Sequence, residues 1–381
     1  MKKIKVAFFG EDFSRKAKGT ALVVQKLTEQ LLANFSDQAE VVLIRKAGPC
    51  SHPLAEKIRN IEIKVYPSPI FSTLISYLIF FISNKESFDA VIFNKFVYPG
   101  FWFLNSKKFV LLAYDAPANL IYKEKLDLGT KLFYGFLGIA GKYFLDSVIA
   151  VSKDARQAVI EYHHLNPDRV SIIYPAAGEN FKKYSEDAKE KSRKLLEDKY
   201  GIAKPFILDV SRIEPHKNIH TLIEAFSLLK SAHPIPHKLV IAGGRHLPKY
   251  TSMIEAQIKS RNLNQDVIIA PYIEDEDMPA IYNLADVLAF PSLLEGFGLP
   301  IVEAMSCGTP VIVSDIPVLA EVAGGAAVLA DPKDPQQWAD KIFEVLSNNS
   351  LRGDLIIKGL ERSKIFSWQD AANKFLQILK I

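Results

Sequence analysis

At 381 residues, with 49% hydrophobic and 24% charged side chains, the chain is too long for one ordinary core and too apolar for a disordered protein; it suits two domains of roughly 180 residues each. Two cysteines far apart, Cys50 and Cys307, exclude a disulfide framework and a cysteine-rich metal module. The net charge of +4 hides an asymmetry, since residues 1–185 hold 25 Lys and Arg against 17 Asp and Glu, and the remainder 22 against 26. A basic first half, with Lys2, Lys3, Lys5, Arg15, Lys16 and Lys18 near its start, fits ordinary surface lysine first, and also anionic lipid or a phosphate-bearing acceptor.

Apolar runs alternate with helical patterns along the whole chain, which predicts βα units around parallel sheets. The first run, 4–9, follows a basic flank with no long apolar region or cleavage site, so no secretory signal is read there and a cytoplasmic protein is expected. Residues 20–32 carry Leu22, Val23, Leu27, Leu31 and Leu32 at helical spacing and supply the first crossover. Further strands are predicted at 41–44, 61–66, 90–93, 109–113, 147–151 and 170–174, with a helix over 154–162. The longest apolar stretch, 70–82, is about 13 residues, short of the ~20 that a membrane span needs. Its segment 72–83 fits a helix packed in the core or one lying on a bilayer.

A linker-like segment, 180–185, leads through a charged helix over 188–200 into a second series of strands at 206–210, 238–242, 267–270, 287–290, 311–313 and 327–329. The expected organisation is therefore 1–180 and 181–365, followed by an amphipathic helix over 366–381 capped by Ser367. Two doubly wound parallel sheets in tandem bind ligands beyond the carboxyl ends of their strands, so the expected site is a cleft that the two domains face. Arg212 and Lys217 follow the strand 206–210 and suit a diphosphate, the first as a bidentate fork and the second as a point charge. Gly243-Gly244 after the strand 238–242 permits close backbone approach, although a plain turn explains it equally well.

The richest stretch is Pro291-Ser-Leu-Leu-Glu-Gly-Phe-Gly-Leu-Pro-Ile-Val-Glu-Ala-Met-Ser-Cys-Gly-Thr-Pro310. Pro300 fits a first helical turn, Gly308 a left-handed helix end, and Pro310 a stop. The loop Gly296-Phe-Gly-Leu299 then lies at a helix N-terminus, where amides and the helix dipole suit phosphate or sugar oxygens. Glu295 and Glu303, separated by seven residues, flank that loop, and each carboxylate can accept a vicinal diol of a sugar or ribose. The acidic run Glu274-Asp-Glu-Asp277 reads as caps for a helix over 278–284 rather than as a metal site. There is no Walker sequence, zinc spacing or nucleic-acid motif.

Glu295-Gly-Phe-Gly-Leu-Pro-Ile-Val-Glu303 resembles the signature of the retaining glycosyltransferases of family four, which have the GT-B fold. Asp209-Val-Ser-Arg-Ile-Glu-Pro-His-Lys-Asn218, Val240-Ile-Ala-Gly-Gly244 and Ala285-Asp-Val-Leu-Ala-Phe-Pro-Ser292 resemble the segments that precede that signature, in the right order. The resemblance implies an α/β protein with two Rossmann-like domains, its last helix crossing back to the first domain. It further implies a hexosyltransferase moving a sugar from a nucleoside diphosphate, with a lean to GDP-mannose, onto a glycan or lipid-linked acceptor of surface polysaccharide assembly. Arg212 and Lys217 would stabilise the leaving diphosphate. Glu295 would hold the transferred sugar with the amides of Phe297, Gly298 and Leu299, and Glu303 the ribose. Tyr272 and Ile273 fall where relatives hold the base, Gly244 near the donor, and Gly19 in a loop near the donor phosphates. Tyr114 stands where many relatives have histidine, followed by Asp115 on the acceptor side. No metal and no cofactor is expected, with the nucleotide sugar acting as substrate. A GT-B nucleotide-sugar epimerase and a catalytically silent binding module remain as alternatives. Peripheral contact with the inner face of a membrane would follow from a lipid-linked acceptor, and no nucleic acid is expected as partner.

Overall fold

The computed structural model describes residues 3–9, 20–46, 53–63, 72–93, 102–113, 138–245 and 247–379. They form two compact units, Met1–Pro175 together with Ser367–Ile381, and Ala176–Phe366.

In the first unit, seven strands run as β1 (Ile4–Phe9), β2 (Ala39–Lys46), β3 (Arg59–Ile63), β4 (Ala90–Phe93), β5 (Phe109–Ala113), β6 (Ser147–Ala150) and β7 (Val170–Ile172). They pair in the order β3-β2-β1-β4-β5-β6-β7, every neighbour parallel. The inner strands β4 and β5 are buried along their whole length, which explains their continuous apolar runs. The helix Thr20–Asn34 turns Val23, Val24, Leu27 and Leu31 inward at helical spacing. The C-terminal helix Trp368–Leu379, whose Asp370 amide donates to Ser367 Oγ at 3.2 Å, packs on it. Phe375 of that helix stacks on Phe8 with ring centroids 5.8 Å apart, and Lys108 Nζ donates to the Ile378 carbonyl at 2.8 Å.

The apolar helix Ser72–Ser83 lies in the core. Its Tyr77, Phe80 and Phe81 are buried and meet Phe9 at centroid distances of 4.8, 5.9 and 5.2 Å, while Ile82 is exposed. Of the two placements left open by its composition, the structure adopts the packed one. Among the described residues, no helix is long and apolar enough to cross a membrane.

The second unit has six parallel strands: β8 (Phe206–Val210), β9 (Lys238–Ala242), β10 (Val267–Ile269), β11 (Val287–Phe290), β12 (Val311–Ser314) and β13 (Val328–Ala330). Their order is β10-β9-β8-β11-β12-β13. The chain winds outward from β8 in one direction and from β11 in the other, so the order reverses between these two neighbours. At such a reversal the loops leaving the two strands part to opposite faces and leave a crevice at the carboxyl ends. Ile207, Ile241, Val287, Ala289 and Ile312 from the sheet pack with Phe226 and Trp338 in one continuous core, all buried.

Candidate functional site

The loops after β8 and β11 carry the charged residues singled out in the sequence, and they meet at the reversal point. After β8, the chain runs through Ser211 and Arg212 into a 3-10 turn, Pro215–Lys217, and closes at Asn218 in the left-handed conformation with φ 59°. Asn218 joins three loops: its Nδ2 donates to the carbonyls of Pro291 (3.0 Å) and Pro332 (2.7 Å), and its Oδ1 accepts from Thr221 Oγ1 at 2.7 Å. The amide of Leu293 donates to the His216 carbonyl at 2.8 Å, a second tie between the two loops.

These ties bring Lys217 Nζ to 2.5 Å from Glu295 Oε1, with only 15% and 11% of the two side chains exposed. The ammonium also sits 5.8 Å from the centre of the Phe290 ring. An ammonium has three donors, so one salt bridge leaves capacity for an incoming anion. Arg212 sits apart from this pair; its Nε lies 3.3 Å from Glu214 Oε1 and its side chain is 55% exposed. His216 Nε2 lies 3.5 Å from Glu214 Oε2, yet burial, and then the charge of Lys217, hold its pKa below the ordinary value. At neutral pH that contact joins a neutral imidazole to a carboxylate.

Near the end of β8 lies a further carboxyl, within reach of the charges of both Lys217 and Glu295. Asp209 is fully buried; its Oδ1 accepts from Ser211 Oγ at 2.6 Å and its Oδ2 has no hydrogen-bond partner. Burial pushes its pKa up to about 7, against the Ser211 hydrogen bond and the charge of Lys217, while the charge of Glu295 raises it further.

The glycine loop leads into the helix Leu299–Ser306. Gly298 takes φ 93° and ψ 52° at its N-cap, a left-handed conformation that favours glycine, and a Cβ there would lie 2.9 Å from Leu319 Cδ2, so that side chain would have to shift. The ring of Phe297 is buried edge-on to Phe366 at 5.5 Å, which anchors the loop. Glu303 is half-buried one turn into the helix, and its Oε2 accepts from the Tyr282 hydroxyl at 2.7 Å. Burial pushes its pKa up to about 7; the Tyr282 hydrogen bond opposes this and the charge of Asp275 adds to it.

Gly243 has a structural reason, since a Cβ there would come 2.2 Å from the Ser211 carbonyl. Gly244 faces open space and its carbonyl accepts from the Ile213 amide at 3.2 Å. Tyr272 is 47% exposed, with its hydroxyl 3.3 Å from Asp275 Oδ1, whereas Ile273 is buried. Asp277 does not cap the helix Met278–Leu284 through its side chain, as expected of it; Lys199 Nζ and Tyr200 Oη each take its Oδ2 at 2.6 Å, tying down the helix Glu186–Tyr200 instead. Gly19, Tyr114 and Asp115 lie outside the described residues. Among the described residues, no group of three or more His, Cys, Asp or Glu is placed to hold a metal ion.

Residues 182–362, which contain Asp209, Arg212, Lys217, Tyr282, Glu295 and Glu303, match the family Glycosyl transferases group 1. The match spans nearly the whole of the second unit. The chain is 36% identical over 229 residues to the serotype-specific mannosyltransferase WbdA of Escherichia coli, a match covering 60% of this chain and 28% of that protein. It is 31% identical over 236 residues to the O-antigen chain mannosyltransferase B of Escherichia coli, covering 61% of this chain and 60% of that one. The match thus spans about a quarter of the first relative and three-fifths of the second. In fold, the chain is similar to HepE of Anabaena, a structure in complex with UDP and glucose, with a TM-score of 0.80, 21% identity and 99% of both chains covered. The fold is GT-B, built from the two parallel-sheet units described above.

Proposed function

We propose that the protein is a retaining hexosyltransferase of polysaccharide assembly that moves a sugar, with mannose first in line, from a nucleoside diphosphate to a glycan or lipid-linked acceptor. The observation that carries this reading is the part-buried Lys217–Glu295 pair at the reversal point of a group 1 domain. Lys217 and Arg212 neutralise the charge that grows on the departing diphosphate, and the amides at the start of the helix Leu299–Ser306 add to it. Glu295, held by Lys217, accepts hydroxyls of the transferred sugar, and Glu303 accepts the ribose diol. The acceptor attacks from the face that the diphosphate leaves, and a donor phosphate oxygen takes its proton, so that no strong protein base is needed. Mannose is favoured by the names of the curated relatives, and the HepE complex makes UDP-sugars the next to try. The decisive experiment is a thermal-shift panel of GDP-, UDP- and ADP-sugars followed by a transfer assay, because a ligand specific to the folded state raises its stability. Conversion of the donor in the absence of acceptor would instead indicate an epimerase, and binding without transfer or hydrolysis a silent module.

Three results are expected. Glu303→Gln weakens donor binding with little change in kcat, whereas Glu295→Gln chiefly lowers kcat, because the ribose contact persists through the reaction and the sugar contact strengthens as the oxocarbenium forms. Initial-rate kinetics of both variants check this division, and the same pattern in both would refute it. EDTA leaves activity largely intact, since Arg212, Lys217 and backbone amides suffice to neutralise the diphosphate; full loss restored by Mg²⁺ or Mn²⁺ would overturn that account. The protein cosediments with anionic but not neutral vesicles, less at high salt, because its basic first half faces a lipid-linked acceptor. Failure to bind either vesicle points to an acceptor free in solution.

A further inference from the structure

We propose that Tyr282 is the positioning residue for Glu303: its phenol fixes one oxygen of the carboxylate so that the remaining acceptor sites meet the ribose diol in plane. The inference rests on the reading of Glu303 as the ribose contact. Tyr282 belongs to the helix Met278–Leu284, and in sequence it is one more apolar position of a buried helix. In space it is immobilised on several sides. The side chain is fully buried, its ring lies edge-on to Phe181 at 5.8 Å, and its carbonyl accepts from Thr309 Oγ1 at 2.6 Å. The hydroxyl at the end of this fixed ring donates to Glu303 Oε2 at 2.7 Å.

An ionised carboxylate offers about four lone-pair directions. Tyr282 occupies one, which stops the group from turning about its last torsion and leaves Oε1 and the other side of Oε2 for two vicinal hydroxyls. The donor is permanent, because burial, and then the charge of Glu303, push the phenol's pKa well above its ordinary value. The bond also matters for charge. Glu303 is pushed up to about 7 by burial with Tyr282 opposing, so removing the hydroxyl raises it further. The other titratable groups that bear on Glu303 are Asp275, ahead of the Tyr282 helix, and the Cys307 thiol one turn along its own helix. Burial, and then the charge of Glu303, keep that thiol neutral, while Asp209, once ionised above about pH 7, adds negative charge near Tyr282.

The test compares ribose with 2′-deoxyribose across pH, using GDP against 2′-deoxy-GDP and UDP against 2′-deoxy-UDP by calorimetry on the full chain. Phosphate titration is common to each pair and cancels in the ratio of the two Kd values. The wild type should prefer the ribonucleotide by about tenfold at alkaline pH, one charge-assisted hydrogen bond's worth, and lose the preference as pH falls through about 7 and Glu303 takes a proton. Tyr282→Phe should lower the preference to a few-fold at most and move its midpoint to higher pH, while Glu303→Gln should make the ratio independent of pH. A Tyr282→Phe ratio and midpoint equal to wild type would overturn the positioning role and leave the ribose reading standing. A wild-type ratio of one at every pH, or no binding of any of the four, would overturn the ribose reading itself and the inference with it.

Discussion

Lys217→Ala is expected to lower turnover by one to three orders of magnitude, roughly the loss of one contact to the charge that develops on the leaving diphosphate. The structure adds a second consequence. Lys217 lies 2.5 Å from a Glu295 side chain that is only 11% exposed, so its removal leaves a carboxylate nearly buried and unpaired. That residue is the proposed contact to the transferred sugar, and an unpaired carboxylate there would move towards water. Lys217→Ala and Glu295→Gln should therefore be strongly non-additive, the double variant being little worse than Lys217→Ala alone. Arg212→Ala should combine additively with either, because Arg212 is exposed and pairs with Glu214, outside the Lys217–Glu295 contact. Single-turnover rates of the three single variants and their three pairwise doubles check this. Near-wild-type rates for the Arg212, Lys217 double variant would refute the diphosphate assignment, and additive losses for Lys217 and Glu295 would refute the coupling.

The strands could be read from the sequence because each is a short β-branched or aromatic run bounded by glycine, proline or charge. Runs 4–9, 90–93, 109–113, 206–210, 238–242 and 287–290 are strands over those same residues. The order in which they pair was not readable, and it makes β8 and β11 neighbours across 76 intervening residues, Ser211 to Asp286. For that reason Lys217 and Glu295 could be selected as two cations-and-carboxylate candidates, but not as one ion pair. The signature loop gave up its chemistry because glycine, proline and paired glutamates are rare in combination. Tyr282 and Asp209 escaped notice for opposite reasons. An aromatic residue in a buried helix looks like core, and only the position of its hydroxyl against Glu303 distinguishes it. A charged residue inside Phe-Ile-Leu-Asp-Val was a visible anomaly in an apolar strand, but its meaning depends on burial and missing partners, which only the folded chain displays. Asp277 shows the converse error: local sequence suggested a cap, and the distant Lys199 and Tyr200 took its side chain.

Asp209→Asn is expected to make the protein less sensitive to alkaline pH, and to do so by about 2–4 kcal/mol of relative stability between about pH 5 and about pH 8. Asp209 is fully buried, and one of its oxygens accepts from Ser211 while the other has no partner, so ionisation there is poorly compensated. Its folded-state pKa of about 7 lies above the unfolded value near 4. A group raised in this way contributes its full share below the unfolded pKa, where both states hold the proton. Between about 4 and about 7 the unfolded chain releases its proton and the folded chain does not, so stability declines with each unit of rising pH. Above about 7 the loss is complete, since the folded state must then carry the charge as well. Asparagine keeps an oxygen for Ser211 and never ionises, which removes this dependence. Glu303, raised for the same reason, contributes the same sign in both proteins and cancels from the comparison. Urea unfolding of the wild type and Asp209→Asn across the range provides the measurement. The two stabilities should draw apart in favour of the variant as pH rises, with most of the divergence complete by about pH 7. Parallel curves would mean that Asp209 is ionised in the folded state throughout, with Lys217 then compensating its charge more fully than the missing hydrogen bond implies.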